Sequence, residues 1–206
     1  VSDEPIVYLL DDEPEMLKAL TRLLRAQGLQ VRGFASAREF LAYERHPGPA
    51  CLVLDVAMPE IDGLGVQERL RQSGAELPVV FLTGHGDIPM SVRAVKAGAE
   101  DFLTKPVAAV DLLRAVRAAL QRASDRQAER VELAGLQERL ASLTPREREV
   151  LGHVIAGKMN KQIAADLGTG EQNIKIHRSR LMRKLAVRSV AELVRVAERL
   201  GISPTR

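Results

Sequence analysis

The sequence predicts an α/β fold with a doubly wound five-stranded parallel sheet, followed by a helical linker and an all-α four-helix domain. Three observations carry this expectation. Through residues 1–120, short apolar runs alternate with amphipathic stretches, the signature of a parallel sheet covered on both faces. Beyond residue 120 the pattern is helical throughout. Charge also changes sign along the chain. Residues 1–120 carry 13 Lys+Arg against 17 Asp+Glu, a net of −4, and residues 121–206 carry 17 against 10, a net of +7. Such a split points to two domains with different partners.

The strands are expected at Ile6–Leu10, Gln30–Phe34, Cys51–Asp55, Pro78–Thr83 and Asp101–Thr104. Each is a short run rich in Val, Leu, Ile or Phe that ends in turn or polar residues. Between them lie helical patterns, such as Met16–Ala26 with Leu17, Leu20, Leu23 and Leu24 on one face, giving five strands and five helices. From Val107 to Ala134 neither Pro nor Gly occurs. Leu112, Leu113, Val116 and Leu120 recur at helical spacing there, and Leu133, Leu136, Leu140 and Leu143 resume it later in a different register. One long helix with an exposed middle accounts for this, the alternative being a flexible tether. The division expected is 1–120, a linker over 121–142, and 143–206.

In a doubly wound sheet the carboxyl ends of the strands share one edge, where functional groups gather. Asp11 and Asp12 close the first strand and Asp55 the third, so three carboxylates converge and repel one another unless a cation sits among them. An all-oxygen site of this kind suits Mg²⁺ or Mn²⁺. Thr83 brings a hydroxyl to the end of the fourth strand, and Lys105 brings a positive charge after the fifth, with Pro106 fixing the turn. A nucleophile, a metal, a cation and a hydrogen-bond donor are the parts needed to move a phosphoryl group onto a carboxylate. Taken singly, each has a duller reading: an Asp pair caps helices, and a Lys before Pro sits on surfaces.

The segments DD (11–12), VLDVAMP (53–59) and FLTGHGDIPMSVRAVKAGAEDFLTKP (81–106) resemble the receiver domains of bacterial response regulators, most closely the FixJ type. The resemblance implies that Asp55 is the phosphoacceptor and that Asp11, Asp12, Asp55 and the backbone carbonyl of Ala57 hold the metal. It also implies that Thr83 and Lys105 contact the incoming phosphoryl group, with Thr83 and Phe102 acting as the switch pair. Ala57 is smaller than the polar residue frequent at that position. His85 reads as a loop residue. His46, His153 and His177 lack metal-ligand spacing, and Cys51 reads as a small core residue.

In the C-terminal region, Thr144-Pro145-Arg146-Glu147 forms a capping box at a helix start. Asn160 is positioned to cap a short helix to Leu167, a Gly168-Thr169-Gly170 turn follows, and further helices span about 171–185 and 190–200. Two short helices joined by a Gly turn have helix-turn-helix dimensions, and the second carries Lys175, His177, Arg178, Arg180, Arg183 and Lys184. A basic amphipathic helix alone more often faces solvent. The segments LTPREREVL (143–151), NKQIAADLG (160–168), IKIHRSRLMRKL (174–185) and RSVAELVRVAERLG (188–201) resemble the LuxR/NarL-type DNA-binding domain. By that resemblance Lys175, Ile176 and Ser179 face the groove, and His177 and Arg178 contact the DNA backbone. Val190, Leu193, Val194 and Ala197 would form a dimerisation face.

The implied protein is a phosphorylation-dependent transcription regulator rather than an enzyme. Its implied partners are a sensor histidine kinase, double-stranded promoter DNA, RNA polymerase and a second copy of itself on phosphorylation. The alternatives are a phosphorylation-independent DNA-binding regulator and a metal-dependent phosphohydrolase working through an aspartyl-phosphate. The latter wants an acid two residues after the nucleophile, where Ala57 stands. Composition agrees with a cytoplasmic chain that makes no use of membrane: no apolar run approaches the roughly 18 residues of a span, and the start VSDEP has no basic-then-apolar region. One cysteine excludes an internal disulfide, and 3% aromatics with no Trp argue against base stacking.

Overall fold

Strand β1 (Ile6–Leu10) sends Val7 and Leu9 to one side and Tyr8 and Leu10 to the other, each at most 1% exposed. That alternation divides the N-terminal unit into two cores separated by a sheet. The computed structural model describes residues 4–84 and 98–205. The sheet is parallel throughout, with β2 (Gln30–Phe34), β3 (Ala50–Asp55), β4 (Val79–Thr83) and β5 (Asp101–Thr104) in the order β2-β1-β3-β4-β5. Every residue of β3 and β4 is buried, as helices on both faces require. Pro78 lacks an N–H, so the strand proper begins at Val79, although the Pro78 carbonyl still accepts from Leu52.

Helices α1 (Pro14–Arg25) and α4 (Ala109–Ala141) cover one face, bringing Leu20, Leu24, Leu112, Val116 and Ala119 onto Val7, Leu9, Val53 and Val80. On the other face, α2 (Ala37–Ala42) and α3 (Gly63–Gln72) bring Phe40, Val66 and Leu70 onto Tyr8, Leu10, Leu54 and Phe81. The helix expected between the fourth and fifth strands, and the loop residue His85, lie outside the described residues.

Helix α4 continues through 121–130, where no large apolar residue occurs, on good helix formers such as Ala, Arg, Gln and Glu. The chain divides into compact units Val1–Ala128 and Glu129–Arg206, and the division falls inside this helix. Among the described residues no helix is long and apolar enough to cross a membrane.

In the second unit, α5 (Pro145–Ile155), α6 (Asn160–Asp166), α7 (Glu171–Lys184) and α8 (Val190–Arg199) surround Val150, Leu151, Ile163, Ile174, Leu181, Leu185 and Leu193. The expected capping box closes α5: Thr144 Oγ1 accepts from the Glu147 amide at 3.2 Å, and Glu147 Oε2 accepts from the Thr144 amide at 2.9 Å. Gly157 and Gly168 end α5 and α6 with φ of 78° and 61°, a conformation other residues adopt at a cost. Asn160 does not cap α6. The N-cap is Met159, whose amide donates to Gln162 Oε1 at 2.8 Å, and Asn160 is the first residue inside the helix.

Lys184 also departs from its expected place among free basic residues. Its ammonium donates to Glu147 Oε2 at 2.7 Å and to the Ser142 carbonyl at 2.9 Å, tying α7 to the start of α5. Glu147 is 2% exposed. The Lys184 ammonium, helped by the Thr144 amide, holds its carboxyl below the ordinary value of 4.5 against the opposing effect of burial. The pair therefore stabilises the fold above that pH and less as pH falls through the lowered value. Lys184→Met is expected to lower the stability of the C-terminal unit by roughly 1–3 kcal/mol near neutrality, because a buried carboxylate loses its partner. Urea unfolding at several pH values checks this: the variant's deficit should shrink on acidification, as Glu147 becomes neutral.

Candidate functional site

The carboxyl ends of β1 and β3 are adjacent because the strands are paired in register, Leu10 beside Leu54. Asp11, Asp12 and Asp55 follow from that pairing. One carboxylate oxygen from each lies within 4.8 Å of the others. Asp11 and Asp55 are 2% and 4% exposed, and Asp12 is half-buried. Local backbone donors orient them: the Glu13 amide donates to Asp11 Oδ1 at 2.9 Å, and the Ala57 amide to Asp55 Oδ1 at 3.3 Å.

Lys105 reaches into this cluster from beyond β5. Its ammonium donates to Asp11 Oδ2 at 2.8 Å and Asp55 Oδ2 at 3.0 Å, with Glu13 Oε1 at 3.9 Å. The Lys105 amide donates to the Thr83 carbonyl at 2.7 Å, which fixes where the side chain starts. The Lys105–Pro106 peptide bond is cis. Burial works to lower the Lys105 pKa, but the hydrogen bonds and charges of Asp11 and Asp55 together outweigh it and hold the value above 10.5. Lys105 is thus a fixed cation that bridges Asp11 and Asp55, and the three clustered carboxylates are an all-oxygen donor set of the kind a divalent ion takes.

Thr83, 3% exposed, ends β4 on the same edge. Ala57 lies two residues after Asp55 in the exposed loop. Phe102 is half-buried in β5, its ring centroid 6.2 Å from that of Phe81. Sequence reasoning missed Gly63. A Cβ built there would lie 2.5 Å from the Asp55 carbonyl oxygen and 3.0 Å from Val56 Cα, so only glycine lets α3 start this close to the site. The Asp62-Gly63 pair at a helix start was the available signal: Asp62 Oδ1 caps the helix by accepting from the Gly65 amide at 2.7 Å.

In the second unit, α7 and its C-cap Leu185 turn Ile174, Leu181 and Leu185 inward and leave Lys175, Ile176, Ser179, Arg180 and Arg183 exposed, Ile176 at 40%. Lys175 Nζ lies 3.6 Å from Glu171 Oε1. His177 and Arg178 are half-buried, and Arg178 Nη1 donates to Asn160 Oδ1 at 3.0 Å. The residues of the expected dimerisation face divide in two. Leu193 and Ala197 are 0% and 2% exposed and belong to the domain's own interior, while Val190 packs partly against the same core and Val194 is half-buried. Leu193 and Ala197 are thus used in folding while Val190 and Val194 stay partly open on α8, and Arg199 on its flank donates to Glu132 of α4 at 2.9 Å.

Residues 7–117 match the response regulator receiver domain, and residues 141–197 match the bacterial regulatory proteins of the luxR family. The chain belongs to the two-component response regulators that join a receiver to a LuxR-type DNA-binding domain and act as transcription regulators. Its relatives include the response regulator protein TodT of Pseudomonas putida, 46% identical over 95% of this chain and 86% of TodT. Another is the transcriptional regulatory protein FixJ of Azorhizobium caulinodans, 38% identical over 96% of this chain and 94% of FixJ. Among solved structures, the response regulator StyR is similar with a TM-score of 0.86 at 44% identity, covering 95% of this chain and 98% of StyR.

Gly63→Ala is expected to destabilise the receiver by about 1–3 kcal/mol and to move the backbone amide signals of Val56 and Ala57. Gly135→Ala, where nothing beyond the helix's own adjoining backbone and chain neighbours lies within 4 Å of the added carbon, is expected to leave those signals in place. It should also be neutral to stabilising by up to about 1 kcal/mol. Denaturant unfolding and amide NMR spectra of the two variants check both.

Proposed function

We propose that this response regulator is switched by transfer of a phosphoryl group from a sensor histidine kinase to Asp55. The observation that carries the proposal is the Lys105 ammonium within 3.0 Å of both Asp11 and Asp55, at the buried edge where three carboxylates meet. In the reaction, an Asp55 carboxylate oxygen forms a bond to phosphorus as the P–N bond of a phosphohistidine breaks, and the electron pair leaves with the imidazole nitrogen. Asp11, Asp12, Asp55 and the Ala57 carbonyl would hold Mg²⁺, or Mn²⁺, and the all-oxygen donor set fits either. The ion supplies charge neutralisation for the acids and the phosphoryl oxygens. Lys105 shifts one hydrogen bond from Asp55 to a phosphoryl oxygen, and the Thr83 hydroxyl donates to another. Phe102 follows into the space Thr83 vacates.

The chain works in three parts, a receiver over 1–120, a helical linker over 121–142 and a DNA-binding domain over 143–206. Phosphorylation replaces the single negative charge of the Asp55 carboxylate with an acyl phosphate carrying roughly −1.5 to −2, and favours homodimers. A dimer places two α7 helices in major grooves about one turn apart, with Lys175, Ile176 and Ser179 toward bases and His177 and Arg178 toward phosphates. The pairing surface in this reading is the face of α8 that carries Val190, Leu193, Val194 and Ala197, with Val190 and Val194 its half-exposed members. Promoter DNA, RNA polymerase and a cytoplasmic location complete the reading, and the protein turns over no substrate of its own.

The test incubates the full chain with Mg²⁺ and a small phosphodonor, then follows phosphate incorporation and DNA affinity. Incorporation is expected to need both Mg²⁺ and Asp55, and affinity to rise with it. Labelling of Asp55→Ala, or affinity indifferent to labelling, overturns the switch. In a salt titration Lys175→Ala is expected to weaken DNA binding, and unchanged affinity counts against α7 as the recognition helix.

A further inference from the structure

Asn160 stands at the head of α6, where its side chain was expected to cap the helix, and it does something else. Its Oδ1 accepts from Arg178 Nη1 at 3.0 Å, joining the first helix of the helix-turn-helix to the second across 18 residues of sequence. Both side chains are half-buried.

The chemical identity of this acceptor distinguishes Arg178 from the ion-paired cations of the unit, and its place on α7 from Arg148, which is held by the Leu140 carbonyl at 3.1 Å. Arg146 meets Glu149 at 2.7 Å, Lys158 meets Asp166 at 2.8 Å, Lys184 meets Glu147 at 2.7 Å and Arg199 meets Glu132 at 2.9 Å. Lys175 has Glu171 at 3.6 Å. Among the described residues Arg178 forms no ion pair, and its partner is a neutral amide. A carboxylate at this place would orient the guanidinium and cancel its charge together. An amide oxygen orients it and leaves the charge intact. One of the five guanidinium N–H groups is used, and the rest of the rigid fork stays available in a fixed direction. A free arginine gives up much of its rotamer freedom when it grips a phosphate; one already held gives up less.

We propose that Asn160 is a positioning residue for DNA binding: it aims the Arg178 guanidinium at a backbone phosphate without neutralising it. This rests on the DNA-binding reading of α7 and is tested separately from it. The probe is a mixed-sequence duplex on the order of 30 base pairs, bound by the full chain and followed by fluorescence anisotropy across a salt series. Arg178→Ala should lower affinity and reduce the slope of log K against log salt by about 1. Asn160→Ala should lower affinity roughly 3- to 10-fold while keeping the slope, since the charge remains. Asn160→Asp should keep the clip but lose about 1 from the slope, because the charge is now paired. The double variant Asn160→Ala/Arg178→Ala should bind like Arg178→Ala alone. Thermal unfolding of each variant accompanies the series, and the Asn160→Asp slope reports on charge independently of any loss of fold. If Arg178→Ala binds weakly while Asn160→Ala binds as wild type, or the two losses add, the positioning role is overturned and the DNA-binding reading stands. If Arg178→Ala and Lys175→Ala both bind as wild type, the reading of α7 falls and this inference with it.

Discussion

Three carboxylates held within a few ångströms of one another by a parallel sheet are the constraint on which this receiver depends. Like charges at such separations repel strongly once water is partly excluded. The fold brings them together because β1 and β3 are central, buried strands whose side chains have no other place to go, and whose carboxyl ends are fixed by pairing. Lys105 relieves part of the repulsion and bridges two of the acids. The rest of the domain serves that arrangement. β5 sets the height from which Lys105 enters, and Gly63 lets α3 begin against the Asp55 backbone. Three acids beside one ammonium leave a net excess of negative charge at this edge.

The C-terminal unit handles charge in the opposite way. Its net positive charge is not uniformly available to a polyanion. Arg146, which also donates to the Leu167 carbonyl at 2.6 Å, and Lys158 and Lys184 are engaged in holding helices to one another. Lys175, Arg180 and Arg183 stay exposed on α7. The distinction between cations that build the domain and cations that face outward is what makes a basic domain into a directed surface.

Much of this was legible in the chain itself. Apolar runs of about five residues, four of the five ending in Asp, Thr or a Lys-Pro turn, place both the strands and the functional groups, because in a parallel sheet the end of a strand is also the edge of a site. The four helices of the second unit follow from capping residues and apolar spacing in the same way. Other features were not legible. An amphipathic pattern such as Val190, Leu193, Val194 and Ala197 says that a face is apolar but not how it divides: Leu193 and Ala197 are buried within the unit, while Val190 and Val194 are half-buried. Asn160 carries a capping residue's side chain, yet Met159 and Gln162 close α6 and free Asn160 for Arg178. Lys184 and Gly63 belong to the same class: their roles are set by contacts 37 residues away in sequence for one and by a backbone approach for the other.

The central claim is that the convergent acids form a divalent-cation site. Thermal unfolding of the full chain across a Mg²⁺ titration tests it most directly, since an ion that binds the folded state raises stability with the logarithm of its concentration above Kd. The account predicts a rise for the wild type and loss of that rise in Asp12→Asn, whose side chain is half-buried and outside the Lys105 bridge. Equal responses to Mg²⁺ in the two proteins, or none in either, would contradict it.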